Sequence, residues 1–269
     1  MSTAPATPDA TDRPQDVSRR CRLVVIASAG TLSRLGAAGP QSANEAFGTI
    51  VRAGDIASIL LSPRGAADGG IMEESAFQRL AEPLVAPLQA HGVAVMVEEH
   101  SRVAGRTGAD GVQLGQDPDA LSDAMDRLSR QMMVAAGNVR SRHTALVLGE
   151  LQPDYVMFGR PGGDIREEPH PKNLDLARWW AAMVEIPCVV LGGSHVESAL
   201  AVAATGAEFV ALEAALFGPA GSEDQANAGP ATMSPDPSVI EALARRAAEA
   251  VARVNALLDA EAPRFEDAA

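Results

Sequence analysis

Eight short apolar runs, each followed by a stretch of helical periodicity, constrain this chain more than any other feature. The runs cover residues 23–27, 56–61, 93–97, 111–114, 132–136, 155–158, 188–191 and 209–212 and are rich in Val, Ile, Leu and Ala. Near-continuous apolar runs of that length mark parallel strands covered on both faces. Amphipathic, Ala-rich stretches lie between them at 43–52, 73–90, 101–107, 118–130, 142–150, 174–184 and 196–204, and an eighth spans 238–258. Strand–helix alternation repeated eight times predicts an α/β fold closed as a single (β/α)8 TIM-type barrel. An open doubly wound sheet is the structural rival. It needs a glycine-rich turn after the first strand, and the SAGTLSRLG found there is a poor version of G-x-G-x-x-G.

Composition narrows the partners. Hydrophobic residues are 46% of the 269 but aromatics only 3%, so the core must be aliphatic, which suits close packing of helices on a parallel sheet. A net charge of −13 argues against nucleic acid or an anionic membrane as partner. A phosphate must then be held locally, by backbone amides, helix N-termini or a metal. No stretch reaches transmembrane length and the first 22 residues lack an apolar signal core, so a cytoplasmic location is expected. Cys188, in the apolar IPCVVL, reads as a buried inert thiol. Residues 1–20 are Pro-, Ala- and charge-rich and are expected to be a disordered arm; the barrel occupies 21–262, with a mobile loop at 218–237, and 263–269 form a tail.

In such barrels the chemistry sits at the C-terminal ends of the strands. After the seventh run comes LGGSH, where Gly192 and Gly193 let the backbone approach a ligand. After the eighth comes ALEAALFG, and barrels often hold phosphate between these two loops. The plainer reading is that the glycines only make a tight turn. The fourth run empties into Gly115-Gln116-Asp117-Pro118-Asp119, whose carboxylates suit Mg²⁺; equally, Asp117 caps the next helix ahead of Pro118 and Asp119 lies on its exposed first turn. Glu98-Glu99-His100 forms a second acidic edge, read either as part of a metal site or as a solvated loop. His143, near Ser141 after the fifth run, suits proton transfer near neutral pH or a surface or capping role. The long loop after the sixth run carries Arg160, Arg166, His170 and Lys172, cations able to close over an anion, and Trp179 and Trp180 beyond it read as packing.

These residues together resemble the thiamine phosphate synthase family, whose close relatives include the thiazole tautomerases. The likeness runs from about Leu23 to Phe217. It rests on GADGVQLGQD, on Ser141-x-His143-Thr144, on PDYVMFG, and on IPCVVLGGS followed by TGAEFVALEAALF. The resemblance implies the same barrel and a reaction that joins a hydroxymethylpyrimidine diphosphate to a thiazole phosphate with Mg²⁺ and release of pyrophosphate. It implies Glu99 and either Asp117 or Asp119 as metal carboxylates, Ser141 as the serine after strand five, and Gly192 and Gly193 as the thiazole-phosphate glycines. Arg166 is the nearest counterpart of the lysine after strand six, with Lys172 a further phosphate cation, and Ala214 stands where the family has a serine. The family's Gln-Leu-Arg-x-Lys stretch is replaced by ASILLSPRG, leaving only a displaced Arg64, and its asparagine-aspartate-arginine has become Glu98-Glu99-His100. Loss of several charge-assisted contacts worth about 1.5–3 kcal/mol each would remove most diphosphate affinity.

The expected function is therefore that of a divergent thiamine phosphate synthase-like protein that binds a thiazole phosphate. The alternatives are a tautomerase using His143 without metal, and a non-catalytic ligand- or partner-binding barrel. The expected partner is a small phosphorylated substrate, with a homodimer left open.

Overall fold

Strands that are apolar on both faces require helices outside and a packed interior, and these strands obtain both. The computed structural model describes residues 19–65, 70–218 and 237–265. Its strands are β1 (Arg22–Ser28), β2 (Ile56–Ser62), β3 (Ala94–Glu98), β4 (Gly111–Leu114), β5 (Met133–Val139), β6 (Val156–Phe158), β7 (Cys188–Leu191) and β8 (Phe209–Leu212). All neighbours are parallel and follow chain order, and β8 pairs with β1 to close the barrel. The intervening helices are α1 (Ala29–Leu35), α2 (Pro40–Val51), α3 (Glu74–Ala90), α4 (Ser101–Thr107), α5 (Pro118–Leu128), α6 (Arg142–Gly149), α7 (Pro171–Met183), α8 (Ser198–Ala203), α9 (Ala214–Phe217) and α10 (Pro237–Glu261).

The period of two along each strand sorts side chains into two cores. Leu23, Val25 and Ala27 face the helices, while Val24 and Ile26 join Leu60, Met96 and Ala211 inside the barrel. Space inside is tight. A Cβ at Gly111 would lie 2.6 Å from Met96 Cε and 2.7 Å from Met133 Cβ. One step further along the inward phase, apolar side chains give way to buried Ser28, Ser62, Glu98 and Gln113, which makes the C-terminal end polar.

Two short helices were not expected. In α1, Ser28 caps the first turn, accepting from Thr31 N at 3.4 Å; α9 is a single turn after β8. Strand β5 runs past the expected apolar run through an irregularity between Ala136 and Val139, with Asn138 at φ +56. Trp180 packs as expected: it is 1% exposed, its indole N–H donates to Ile186 O at 2.7 Å, and its ring meets Phe158 edge-on. Both cysteines are buried, and burial pushes the Cys21 thiol up to about 12 and Cys188 upward as well.

Most of the expected arm (1–18), the core of the expected mobile loop (219–236) and the last four residues lie outside the described residues. Arg20, the end of that arm, is buried. Its guanidinium donates to Asp259 Oδ1 at 2.6 Å, to Asn255 Oδ1 at 3.0 Å and to Cys21 O at 2.8 Å, and its backbone bridges to Arg264. No described helix is long and apolar enough to cross a membrane.

Candidate functional site

The β7 and β8 exits lie side by side at the rim. Gly192 N donates to Ala211 O at 2.9 Å, and a Cβ at Gly192 would meet Leu212 Cδ2 at 2.5 Å, so glycine lets the two exits touch. Gly193 N donates to Ser198 Oγ at 2.9 Å, and that hydroxyl donates in turn to His195 O at 2.6 Å. The segment between β6 and α7 folds onto this turn. Ser194 N donates to Arg166 O at 2.7 Å, and a Cβ at Gly193 would overlap the Glu167 carbonyl.

The same segment sends a carboxylate inward. Asp164 is 4% exposed, and its Oδ2 accepts from Glu213 N at 3.0 Å and from Ala214 N at 2.6 Å. Burial pushes the Asp164 carboxyl above the usual range, against the lowering effect of the Ala214 and Glu213 amides. Glu213 is also buried, accepting from Ser28 N at 2.9 Å and from Thr31 Oγ1 at 3.3 Å. Burial, reinforced by the charge of Asp164 and opposed by the Ser28 and Thr31 hydrogen bonds, pushes Glu213 up to about 7. Between the two carboxyls and Ser28, Thr31, Arg34 and Gly162 is a cavity of about 50 Å³. It has room for a few waters but not for a heterocyclic phosphate.

Across the mouth, β2 and β3 end in an ion-pair network. Arg64 Nε donates to Glu98 Oε1 at 2.7 Å and Arg64 Nη2 to Glu99 Oε1 at 2.8 Å, while Ser62 Oγ donates to Glu98 Oε2 at 2.5 Å. Glu98 is 3% exposed, and burial raises its carboxyl although Arg64 and Ser62 oppose it. Glu99 has φ +63, a left-handed backbone uncommon for a side-chain-bearing residue. Next to Glu98, Tyr155 Oη donates to buried Gln113 Oε1 at 3.0 Å, and burial pushes the Tyr155 hydroxyl well above its usual range.

The expected metal carboxylates do not converge. Glu99 is committed to Arg64; Asp117 is the N-cap of α5, accepting from Asp119 N at 3.1 Å; Asp119 is exposed on the first turn. Among the described residues no group of three or more His, Cys, Asp or Glu side chains could hold a metal ion. This arrangement does not fit Mg²⁺.

Ser141 is likewise a helix cap, accepting from Thr144 N at 3.1 Å at the start of α6, and His143 is exposed two residues on. Arg142 lies over the Trp179 ring at 5.2 Å. The Arg166 and Lys172 side chains are exposed, and Arg166 contributes to the β7 turn through its carbonyl. His170 caps α7, its Nδ1 accepting from Lys172 N at 3.2 Å. The fold thus brings Gly192, Gly193, Ala214 and the Arg166 backbone together. Among the described residues, no hydrogen bond or ion pair joins Asp117, Asp119, Ser141, His143 or Lys172 to them.

Sequence reading passed over Asp164 and Ser198, took Glu98 only as part of an acidic edge without its inward direction, and saw Glu213 only as a neighbour of Ala214. Glu98 was discernible, since it is in phase with inward-facing Met96. Asp164 stood in the PGGD of a loop read for its cations.

Residues 48–216, more than half of the chain, match the family model described as thiamine monophosphate synthase. The thiamine-phosphate synthase of Erythrobacter litoralis is 38% identical over 146 residues, 52% of this chain and 67% of that protein. That of Rhodospirillum centenum is 33% identical over 175 residues, 64% of this chain and 81% of its own length. Among solved structures, thiamine phosphate pyrophosphorylase from Pyrococcus furiosus superposes with a TM-score of 0.58 at 20% identity, covering 88% of this chain and 98% of that one, a likeness of fold. The matched span runs from α2 through β8 to α9, so it contains the β7–β8 mouth and the Arg64–Glu98–Glu99 network alike. The chain belongs to the thiamine monophosphate synthase family.

Proposed function

We propose that this chain acts in thiamine biosynthesis as a barrel that binds a thiazole monophosphate at the β7–β8 mouth and couples it to a pyrimidine diphosphate slowly or not at all. One observation carries the phosphate half: the Glu213 and Ala214 amides converge on a single anionic oxygen, 3.0 and 2.6 Å away, beside the Gly192-Gly193 turn. Backbone donors that already hold a carboxylate oxygen are suited to a phosphate oxygen and need no net positive charge.

Arg64 supports the diphosphate half of the reading. It is the cation left at the β2 exit, and Glu98 and Glu99 both bind it. A pyrophosphate arriving there would meet two carboxylates before it met a free guanidinium, and repulsion opposes binding of the leaving group. The residues then have defined work. The β7 and β8 backbone orients the phosphate, and Glu213, with a carboxyl near neutrality, can hold or release a proton at the barrel mouth.

The test is calorimetry with a thiazole monophosphate and, separately, a hydroxymethylpyrimidine diphosphate, followed by a coupling assay with and without Mg²⁺. Binding of the thiazole phosphate with little coupling is expected. Rapid Mg²⁺-dependent formation of thiamine phosphate, lost in Asp117→Ala and retained in His143→Ala, would overturn the reading.

A further inference from the structure

We propose that the segment between β6 and α7 is a latch, in which Asp164 holds the β7–β8 mouth shut by occupying the backbone donors that a substrate phosphate would take. The proposal rests on the reading of that mouth as a phosphate site and adds to it a competitor supplied by the chain itself.

Asp164 stands out within its own segment. Residues 165 to 168 are exposed, Ile165 at 77%, whereas Asp164 is 4% exposed and turned inward. A solvent-facing loop that buries one carboxylate is anchored by it. The anchor has two further points: Ser194 N donates to Arg166 O at 2.7 Å, and the Glu167 carbonyl lies against Gly193, where a Cβ would overlap it. The loop backbone thereby covers the face of the glycine turn that a phosphate would approach. It also roofs the cavity under the mouth through Gly162, Asp164 and Ile165, leaving the about 50 Å³ noted above.

The hold is balanced against opposing forces. Burial opposes the ionised form of Asp164 and the two amide donors favour it, while the Asp164 charge in turn raises the neighbouring Glu213 carboxyl. A contact in which two carboxyls approach each other at a buried cavity can be displaced by a ligand that satisfies the same donors. Glycines also shape the loop, and Gly162 has open space around it. Gly159 and Gly162, before Asp164, have φ of +102 and +74, a region glycine occupies without strain.

The test uses wild type, Asp164→Ala and Asp164→Asn, each titrated calorimetrically with inorganic phosphate and with a thiazole monophosphate. Hydrogen exchange is followed at residues 160–169 and at the Glu213 and Ala214 amides. Loss of a charged competitor for two donors should tighten binding by about ten- to a hundredfold in Asp164→Ala. The change in Asp164→Asn should be smaller and in the same direction, and this variant decides the matter should the alanine variant not fold. In wild type, added phosphate should speed exchange across 160–169 as the loop is displaced. Equal affinity in all three proteins, with the Glu213 and Ala214 amides still protected by ligand, would overturn the latch and leave the phosphate site standing. Ligand binding to wild type without faster exchange at 160–169 would also overturn it. Absence of binding in all three, Asp164→Ala included, would remove the phosphate site and the latch with it.

Discussion

Glu213, at the end of the last strand, accepts the backbone N–H of Ser28, at the end of the first, at 2.9 Å, so one buried carboxyl spans the seam where the barrel closes. Its proton is therefore coupled to the fold. Burial raises the group from 4.5 to about 7, so the folded state favours the protonated form. The sign follows: this stability is complete below the unfolded value, declines as pH rises toward about 7, and is level above. The full loss is about 3 kcal/mol. Glu213→Gln, which keeps an acceptor for Ser28 N but does not titrate, should narrow the difference in melting temperature between pH 5 and pH 8. An unchanged difference would show that Glu213 is not the group responsible.

Arg64 should matter most at high pH. Arg64→Met leaves buried Glu98 with only the Ser62 hydroxyl as partner, a change worth about 3 kcal/mol for a pair with one wholly buried member. Glu98 can avoid that penalty by taking up a proton. Chemical denaturation should show a large loss at pH 8 that shrinks by pH 5. A loss independent of pH would mean that Arg64 contributes packing and not charge.

Asp117 should behave as a helix cap. Asp117→Ala should cost about 1 kcal/mol through loss of the Asp119 N bond at the start of α5, whether or not Mg²⁺ is present. Urea melts at zero and millimolar Mg²⁺ decide this. Stabilisation of wild type, but not the variant, by Mg²⁺ would restore Asp117 as a ligand.

Gly193→Val forces a side chain into the Glu167 carbonyl. Something must move, and the β6–α7 loop is less constrained than the barrel. Far-ultraviolet circular dichroism should be unchanged, exchange at 160–169 should rise, and stability should fall by about 1–3 kcal/mol. Collapse of the whole barrel would show that the turn is an essential part of the core.

How much of this could be read in advance depended on the range of each interaction. The barrel was legible because strand and helix periods are local, and eight repeats of them leave few topologies. Helix α9 escaped notice because four residues are too few to display a 3.6-residue period, and α1 because SAGTLSRLG was weighed as a glycine-rich turn and not as a helix. The end of β5 was hidden by Gly137-Asn138, which breaks an apolar run but not the strand. In the site, Gly192 and Gly193 advertised themselves by type. Asp164 did not, because its partners are 49 and 50 residues further along and nothing local specifies which amides a loop carboxylate will reach. Asp117 was visible but open to two readings, and in the structure its carboxylate bonds to the nearest amide.

Arg20 carries a consequence for how the molecule is made. Its ion pair with Asp259 joins residues 239 apart, and the strand that follows it stays unpaired on one side until β8 arrives. During synthesis the outer edge of β1 therefore stays open until β8 has been made, and Arg20 stays without its carboxylate until α10 has been made. The same proximity of residue 20 to residue 264 makes the bottom of the barrel a natural place to join those two residues by a short linker and open the ring elsewhere. A circular permutant cut in an α-to-β turn on that face should still fold, with the Arg20 pair then formed between near neighbours in sequence.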